Sequence, residues 1–349
     1  MDLQEIFVSR DEIIKNAIKK LDQTAKKILL VVEKNKLQGI VTDGDIRRWI
    51  LKNGDLNDTV ERVMNQSPKY VNERESYRAK EILESKMIEA IPVVDDYMEV
   101  KDIIFWNDRF QTKRYHNSLK NPVVIMAGGK GTRLAPYTKI IPKPLIPIGE
   151  TPIVERIINR FHEFGCQSYY MTVNYKKNMI RAYFEDLEKD YTVDYVEETK
   201  PLGTAGSLYM LKNQLKDTFF VSNCDILIDG NYADMMKYHK ESNNKITLIT
   251  SLKHYTIPYG IVKLDEDSKV KEMMEKPEYD YLVNTGMYIL EASCLDDIPE
   301  EQFFHITDLI NLYIRNNEKV GVYPVSENSW LDMGEFKEME KMMEKLGVK

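Results

Sequence analysis

The chain has 349 residues, of which 30% are charged and 43% hydrophobic, and its formal net charge is −7. This composition is typical of a globular protein, and the length favours two domains. The acidic balance argues against a nucleic-acid partner. No run of 18 apolar residues and no apolar leader occurs, and the three cysteines are widely spaced, so we expect a cytoplasmic protein without a membrane partner.

The first 110 residues contain two copies of one pattern, at about 1–60 and 61–110. Each copy is predicted to form an amphipathic helix, an apolar strand, a turn, a second strand and the start of another helix. ILLVV of the first copy aligns with IPVV of the second, and GIVTDGD aligns with DIIFWND. Because such a unit buries its apolar face against a neighbour, the copies are predicted to pack on a shared core.

This pair resembles a tandem of CBS domains, also called a Bateman module. The resemblance implies a turn in which a Thr hydroxyl lies near a phosphate and an Asp carboxylate lies near a ribose. The first copy carries this turn as Gly39, Thr42 and Asp45. The second copy keeps Asp108 but has Asp102 and Phe105 instead of the glycine and the threonine. The pair is therefore expected either to sense an adenine nucleotide or only to pack, dimerise or brace the rest of the chain, and we expect a homo-oligomer.

The segment 111–121 is predicted to be a linker, because the stretch NDRFQTKRYHNSLKNP is polar, mixed in charge and ends in Asn-Pro. From residue 122 to residue 349, apolar strands alternate with amphipathic helices. The predicted strands are PVVIMA, SYYMTVNY, TVDYVEE, TFFVSNCDIL and KITLITSL. This order predicts an α/β domain with a mostly parallel sheet and helices on both faces. Ligands of such sheets bind beyond the carboxyl ends of the strands.

The stretch MAGGKGTRL, which follows the first of these strands, predicts a loop that holds an anion. Its glycines permit close approach of the backbone to a ligand, and Lys130 and Arg133 stand beside them. The spacing is that of neither a P-loop nor a dinucleotide-binding turn. Further along, PKPLIPI holds Lys143 between two prolines that restrict the backbone. Arg133 and Lys143 are predicted phosphate contacts, because a triphosphate needs several fixed cations.

Two carboxylates are candidates for a magnesium site. Asp225 follows the apolar strand of VSNCDIL, and Asp332 lies in WLDMGEF. With phosphate oxygens and waters they would complete an octahedral site, although a carboxylate at the end of a strand also commonly caps a turn. Upstream, Gly203 and Gly206 open a predicted helix, whose N-terminus attracts anions.

The segments EKP and VNTG offer donors and acceptors that suit a sugar phosphate. They contribute Glu275, Lys276 and Asn284. The alternatives are a solvated turn for EKP and, for Asn284, a side chain bonded to its own backbone.

Seven motifs of the second half occur in the order and spacing of the sugar-1-phosphate nucleotidylyltransferases. They are MAGGKGTRLAPYT, PKPLIPI, PLGTAG, SNCD, EKP, VNTG and WLDMG. Residues 122–349 therefore resemble this family, which implies a Rossmann-like nucleotidyltransferase domain. The resemblance also implies the reaction: an NTP and a sugar 1-phosphate give an NDP-sugar and pyrophosphate, with Mg²⁺ as the cofactor.

The resemblance assigns roles by position. Arg133 would hold the departing β- and γ-phosphates, and Lys143 would neutralise the α-phosphate during attack. Asp225 and Asp332 would hold Mg²⁺. The nucleotide would contact Ala127, Gly128, Gly129, Gly131, Thr132, Glu198 and Gly203. The sugar phosphate would contact Glu275, Lys276, Asn284 and Gly286. Two departures, Cys224 where many members have Gly and Glu335 where many have Thr-Pro, remove no charged group that the chemistry needs.

The choice of base is predicted to depend on Glu198, because family members that use uracil or thymine often carry Gln at this point. An ionised carboxylate accepts two hydrogen bonds, which fits the adjacent donors of guanine, so GTP is favoured over UTP and dTTP. The alternative is that Glu198 or Glu197 faces solvent. The fused chain is similar to the guanylyltransferases of legionaminic acid biosynthesis, which implies glucosamine 1-phosphate, with mannose and heptose 1-phosphates open. A catalytically inactive protein that senses nucleotides is the competing interpretation.

Overall fold

The computed structural model describes residues 2–86, 88–106 and 119–348. Asp108 and residues 111–118 of the predicted linker lie outside the described residues. The chain divides into two compact units, Met1–Arg114 and Tyr115–Lys349.

The first unit contains two three-stranded sheets with one topology. Their strands are β1 (Phe7–Val8), β2 (Ile28–Glu33), β3 (Lys36–Thr42), β4 (Val71–Asn72), β5 (Ala90–Val94) and β6 (Val100–Phe105). In each sheet the first strand pairs in parallel with the second, and the second pairs antiparallel with the third. The register places Gly39 and Asp102 at equivalent positions, and likewise Thr42 and Phe105. The repeat in the sequence is therefore a repeat of structure.

Three α-helices accompany these sheets in the described part of the first unit: α1 (Ile14–Thr24), α2 (Asp43–Leu51) and α3 (Ala79–Lys86). Short 3₁₀ helices span Leu3–Ile6, Val60–Arg62 and Glu73–Arg78. In α1 the buried side chains recur at the spacing of one helix face, as an amphipathic helix requires.

Helix α2 begins with a capping box. The Asp45 N–H donates to Thr42 Oγ1 at 3.3 Å, and the Thr42 N–H donates to Asp45 Oδ2 at 2.9 Å. Arg48 forms an ion pair with the same carboxylate. The Thr-x-x-Asp spacing therefore satisfies the start of this helix without any ligand.

The second unit is built on a sheet with the strand order β11-β10-β7-β12-β17-β14-β18. Its strands in chain order are β7 (Val123–Met126), β8 (Pro147–Ile148), β9 (Thr151–Pro152), β10 (Ser168–Val173), β11 (Thr192–Glu197), β12 (Phe219–Asn223), β13 (Ile226–Ile228), β14 (Ile246–Thr256), β15 (Ile261–Leu264), β16 (Val270–Met274), β17 (Glu278–Leu290), β18 (Val320–Val325) and β19 (Trp330–Asp332). Neighbours in the large sheet are parallel except the two pairs that include β17. The mostly parallel sheet predicted from the sequence is confirmed.

Helices cover both faces of this sheet. They are α4 (Tyr137–Ile140), α5 (Ile153–His162), α6 (Lys177–Asp186), α7 (Gly203–Gly206), α8 (Tyr232–Glu241), α9 (Ile306–Arg315) and α10 (Phe336–Lys345). Short 3₁₀ helices span Thr132–Leu134, Lys143–Leu145, Ser207–Leu211, Ala292–Asp297 and Glu327–Ser329. None of the described helices has the length and hydrophobicity to cross a lipid bilayer.

Successive side chains of β7 pack into two different core clusters, one on each face of the sheet. Val123 and Ile125 pack in a core cluster with α5, α6 and α8, whereas Val124 packs in a second cluster with α9 and residues 205–211. Because successive strand residues point to opposite faces, an apolar run of this kind belongs to a strand covered on both sides. The parallel strands β7, β10 and β12 therefore lie at the centre of the unit and end at one common edge.

Candidate active site

A cavity of about 420 Å³ opens at the edge where β7, β10 and β12 end. It is lined by nine of the residues predicted for the site: Gly128, Gly129, Gly131, Thr132, Arg133, Lys143, Glu198, Gly203 and Asp225. Ala127 is 1% exposed and belongs to the core, where its N–H donates to the Thr172 carbonyl at 3.0 Å. Asn223 and Thr172, which the sequence analysis did not select, also line this cavity.

The shape of the glycine loop depends on Gly131. Its φ is +63°, and a Cβ there would lie 2.9 Å from Thr138 Cγ2 and 3.0 Å from the Cβ of Lys143. Thr138 is buried and donates its hydroxyl to the Gly131 carbonyl at 3.0 Å, while Tyr175 donates to the Thr138 carbonyl at 3.1 Å. The loop is thus bonded to α4, and α4 in turn accepts a hydrogen bond from the segment that follows β10. Thr138 and Tyr175 were missed in the sequence, although Thr138 closes the motif GTRLAPYT.

Lys143 projects into the cavity from a single 3₁₀ turn that begins between its two prolines. Its ammonium group contacts the carboxylate of Asp225, and the side chains are only 11% and 12% exposed. The pair is therefore shielded from solvent. Ionic attraction is stronger in such a buried environment than at the surface. Arg133, by contrast, is exposed at the end of the glycine loop.

Asp332 lies beside this ion pair because β19 pairs antiparallel with β13. Asp332 is opposite Ile226, and the Met333 N–H donates to the Asp225 carbonyl at 2.8 Å. Burial raises the pKa of the Asp332 carboxyl and so does the charge of Asp225, whereas Lys143, the Gly334 N–H and Arg133 lower it. The two predicted metal ligands and the two predicted phosphate contacts are thus close enough to act on one another.

The chemistry of this donor set fits a magnesium ion only in part. Among the described residues, no group of three or more His, Cys, Asp and Glu side chains is arranged to hold a metal. Two carboxylates leave most positions of an octahedral ion open. Because Mg²⁺ usually keeps waters and takes substrate phosphates as ligands, this pair suits a metal that is shared with a nucleotide.

Glu198 and Glu197 have different environments. Glu198 lines the cavity and is 9% exposed, and burial raises its pKa, while the Leu202 N–H and the hydroxyls of Ser207 and Thr172 act in the opposite direction. Glu197 forms ion pairs with Lys177 and Arg181 instead and is 39% exposed. Only Glu198 of the two faces the cavity.

Gly128 is required for the position of Glu198. A Cβ on Gly128 would lie 2.7 Å from Glu198 Oε1, which is closer than real contacts allow. The carboxylate therefore packs directly beneath the backbone of the glycine loop.

The four residues predicted for the sugar phosphate separate into two pairs. Gly286 has a φ of +90°, and a Cβ there would lie 2.4 Å from Asn223 Nδ2, so Gly286 adjoins the cavity through Asn223. Asn284 accepts from the Gly286 N–H at 3.2 Å and donates to the Tyr288 hydroxyl at 2.6 Å. Glu275 and Lys276 are exposed after the β15–β16 hairpin, and neither lines the cavity. None of the four lines the cavity itself, but Gly286 packs against the lining residue Asn223 and Asn284 is bonded to Gly286.

Comparison with known proteins agrees with this arrangement. Residues 122–348 match the Nucleotidyl transferase family, and residues 1–52 match the CBS domain. The chain belongs to the Nucleotidyl transferase family. The match spans β7 to α10 and includes each of the cavity residues named above.

Two relatives and one solved structure define the range of similarity. A probable mannose-1-phosphate guanylyltransferase 1 of Oryza sativa subsp. japonica is 33% identical over 184 residues, which cover 50% of this chain and 51% of the relative. The bifunctional protein GlmU of Methanococcus aeolicus is 32% identical over 220 residues, covering 60% of this chain and 51% of GlmU. The chain spans about half the length of these relatives. The crystal structure of HddC from Yersinia pseudotuberculosis shares the fold, with a TM-score of 0.52 and 24% identity. The similarity covers 65% of this chain and 99% of the HddC chain.

A pair of glycine substitutions tests the shape of the loop in this nucleotidyl transferase unit. Gly131→Ala should lower the free energy of unfolding by about 1–3 kcal/mol, because a positive φ is unfavourable for alanine and the new Cβ would contact Thr138. Gly129→Ala is the matched control, since a Cβ there meets nothing within 4 Å, and it should change stability by less than about 0.5 kcal/mol. Urea denaturation of both variants measures the difference, and equal stabilities would contradict the expectation.

Proposed function

We propose that the protein is a sugar-1-phosphate nucleotidylyltransferase, which converts an NTP and a sugar 1-phosphate into an NDP-sugar and pyrophosphate. The observation that carries this proposal is the convergence of Arg133, Lys143, Asp225 and Asp332 beside a glycine loop, in one cavity region at the rim of the sheet. The relative named as a mannose-1-phosphate guanylyltransferase supports the same class of reaction.

Catalysis in this proposal consists of positioning and charge neutralisation. The attacking oxygen belongs to a phosphate that is already anionic, so no general base is needed. Lys143 neutralises the α-phosphate as the sugar phosphate attacks it, and Arg133 holds the β- and γ-phosphates that leave. Asp225 and Asp332 hold Mg²⁺, which supplies further neutralisation of phosphate charge when bound. The glycine loop brings backbone close to the nucleotide.

GTP is the proposed nucleotide. The Glu198 carboxylate lines the cavity, and an ionised carboxylate accepts both the ring N–H and the amino group of guanine. Uracil would place a carbonyl against the same buried acceptor, which costs about 1–3 kcal/mol for an unpaired polar group. The position of Glu198 beneath Gly128 supports a role in contact with the base rather than with solvent.

Glucosamine 1-phosphate is the proposed sugar substrate. This choice follows from the resemblance inferred from the sequence to guanylyltransferases of legionaminic acid biosynthesis, and the rice relative, a probable mannose-1-phosphate guanylyltransferase, makes mannose 1-phosphate the first alternative. Asn284 and Gly286 adjoin the cavity and are the proposed contacts of the sugar. Glu275 and Lys276, which are exposed and do not line the cavity, stay predicted contacts of the sugar phosphate.

A turnover panel tests the reaction and its machinery. Pyrophosphate release should occur with Mg²⁺, GTP and at least one of glucosamine, mannose and heptose 1-phosphates. Arg133→Ala and Lys143→Ala should each lower kcat/KM by about 10²-fold or more, because each removes a preorganised charge. Lys139→Ala, which removes an exposed lysine of α4, is the control and should retain activity. Absence of turnover with GTP, UTP, dTTP and CTP would favour an inactive protein that senses nucleotides.

A second experiment tests the choice of base. Glu198→Gln presents one donor and one acceptor, so it should shift the ratio of kcat/KM for GTP and UTP towards UTP by about tenfold or more. Glu197→Gln is the matched control, because Glu197 is engaged with Lys177 and Arg181 at the surface. An unchanged ratio in Glu198→Gln would contradict the proposed role.

Because the pKa of Glu198 is raised, the ratio of kcat/KM for GTP to kcat/KM for UTP should depend on pH. Above the pKa the side chain is ionised and accepts from guanine. As the pH falls through the pKa, the carboxyl gains a proton and resembles glutamine, so the preference for GTP over UTP should decline on the acidic side in the wild type and stay flat in Glu198→Gln. A flat wild-type profile would argue against contact between Glu198 and the base.

We also propose that the CBS pair binds an adenine nucleotide at the turn of Thr42 and Asp45. The capping box shows that these side chains are already held in place at the start of α2. AMP or ATP should raise the melting temperature of the full chain, and Asp45→Ala should abolish the rise. The shift is compared within each variant, because loss of the capping box itself lowers stability by about 1 kcal/mol. No rise in the wild type would leave only a packing role.

A further inference from the structure

Two groups that the proposed reaction uses for different purposes contact each other directly in the structure. Lys143 is the proposed partner of the α-phosphate, and Asp225 is a proposed ligand of the metal. Their side chains form an ion pair in which each is nearly nine-tenths buried. Each group is therefore the electrostatic partner of the other.

The charges around this pair are balanced. Arg133 and Lys143 supply two positive charges, and Asp225 and Asp332 supply two negative charges, within reach of one another. In the described part of the chain no further His, Cys, Asp or Glu joins these carboxylates in a set of three metal ligands. A divalent cation approaching these two carboxylates would find their charge offset by two cationic side chains and would have to compete with an ammonium group for Asp225.

The identity of the cation in this pair matters. A lysine carries a compact charge on a flexible stem, so its ammonium group can move from one anion to another while its backbone stays fixed. Here the backbone is held in a 3₁₀ turn with prolines on both sides. A triphosphate would offer Lys143 a new anionic partner and would free the Asp225 carboxylate at the same time.

We propose that Lys143 is an internal counter-ion of Asp225, which keeps the free protein from binding a divalent cation tightly and makes the cation enter together with the nucleotide. This inference rests on the proposed function, because it takes Asp225 and Asp332 as the metal ligands. It gives Lys143 a second, positioning role that precedes its contact with the phosphate.

Binding of Mn²⁺ to the full chain without nucleotide tests the inference, since Mn²⁺ prefers the same oxygen ligands as Mg²⁺ and its free ion is counted by electron paramagnetic resonance. Lys143→Met and Lys143→Gln should bind Mn²⁺ at least about tenfold more tightly than the wild type, because each removes the charge that competes for Asp225. Lys139→Met removes an equal charge from an exposed position and should bind as the wild type does. Adding Asp225→Asn to Lys143→Met should abolish the gain.

Two variants of Lys143 are used because methionine leaves the buried Asp225 carboxylate without a hydrogen-bond donor at this position, whereas glutamine retains one. Thermal melting establishes that each variant is folded. Equal Mn²⁺ affinity in the wild type and in both variants would overturn the inference. A parallel Mn²⁺ titration is made in the presence of α,β-methylene GTP, or of the same analogue of the nucleotide that the turnover panel selects. It shows whether equal affinities mean that only the counter-ion role is wrong or that the proposed metal site is wrong as well. Binding of Mn²⁺ that depends on both the analogue and Asp225 would leave the proposed metal site intact, and its absence would reject that site as well.

Discussion

The parallel register of three central strands is the constraint on which the site depends. Thr172 and Asn223 both lie opposite Met126, so β7, β10 and β12 end side by side. The glycine loop leaves the first of these ends, Glu198 follows the neighbouring β11, and Asp225 follows the third. The hydrogen bonds between backbone groups of these strands thus bring together side chains that are nearly a hundred residues apart in the sequence.

Much of this arrangement could be predicted because its signals are local. Apolar runs followed by Gly, Glu or Asp identify strand ends, and the carboxyl ends of parallel strands must meet at one edge. Asp225 was selected in this way, Arg133 from its place beside the glycine loop and Lys143 from its flanking prolines, whereas Glu198 came from the family resemblance. All four line one cavity. The repeat of the first unit was equally visible, because each copy has its own alternation of helix and strand.

The parts of the site that the sequence could not predict depend on contacts between distant segments. Asp332 was a candidate metal ligand from its motif, but its approach to Asp225 depends on the pairing of β19 with β13, which no local pattern predicts. Thr138 and Tyr175 act through backbone carbonyls, which carry no signal in the amino-acid sequence. Glu275 and Lys276 lie in a motif with a familiar spacing, yet the hairpin that precedes them sets their direction and exposes them.

The contact between Gly128 and Glu198 restricts how this protein could change its selectivity during evolution. The carboxylate of Glu198 fills the space that any side chain at position 128 would need, so Gly128 can be replaced only if residue 198 changes as well. Glutamine, almost identical in size to glutamate, is the replacement that keeps the loop undisturbed. If Glu198 contacts the base as proposed, exchange of glutamate for glutamine at position 198 is therefore the most accessible route from one nucleobase to another on this scaffold.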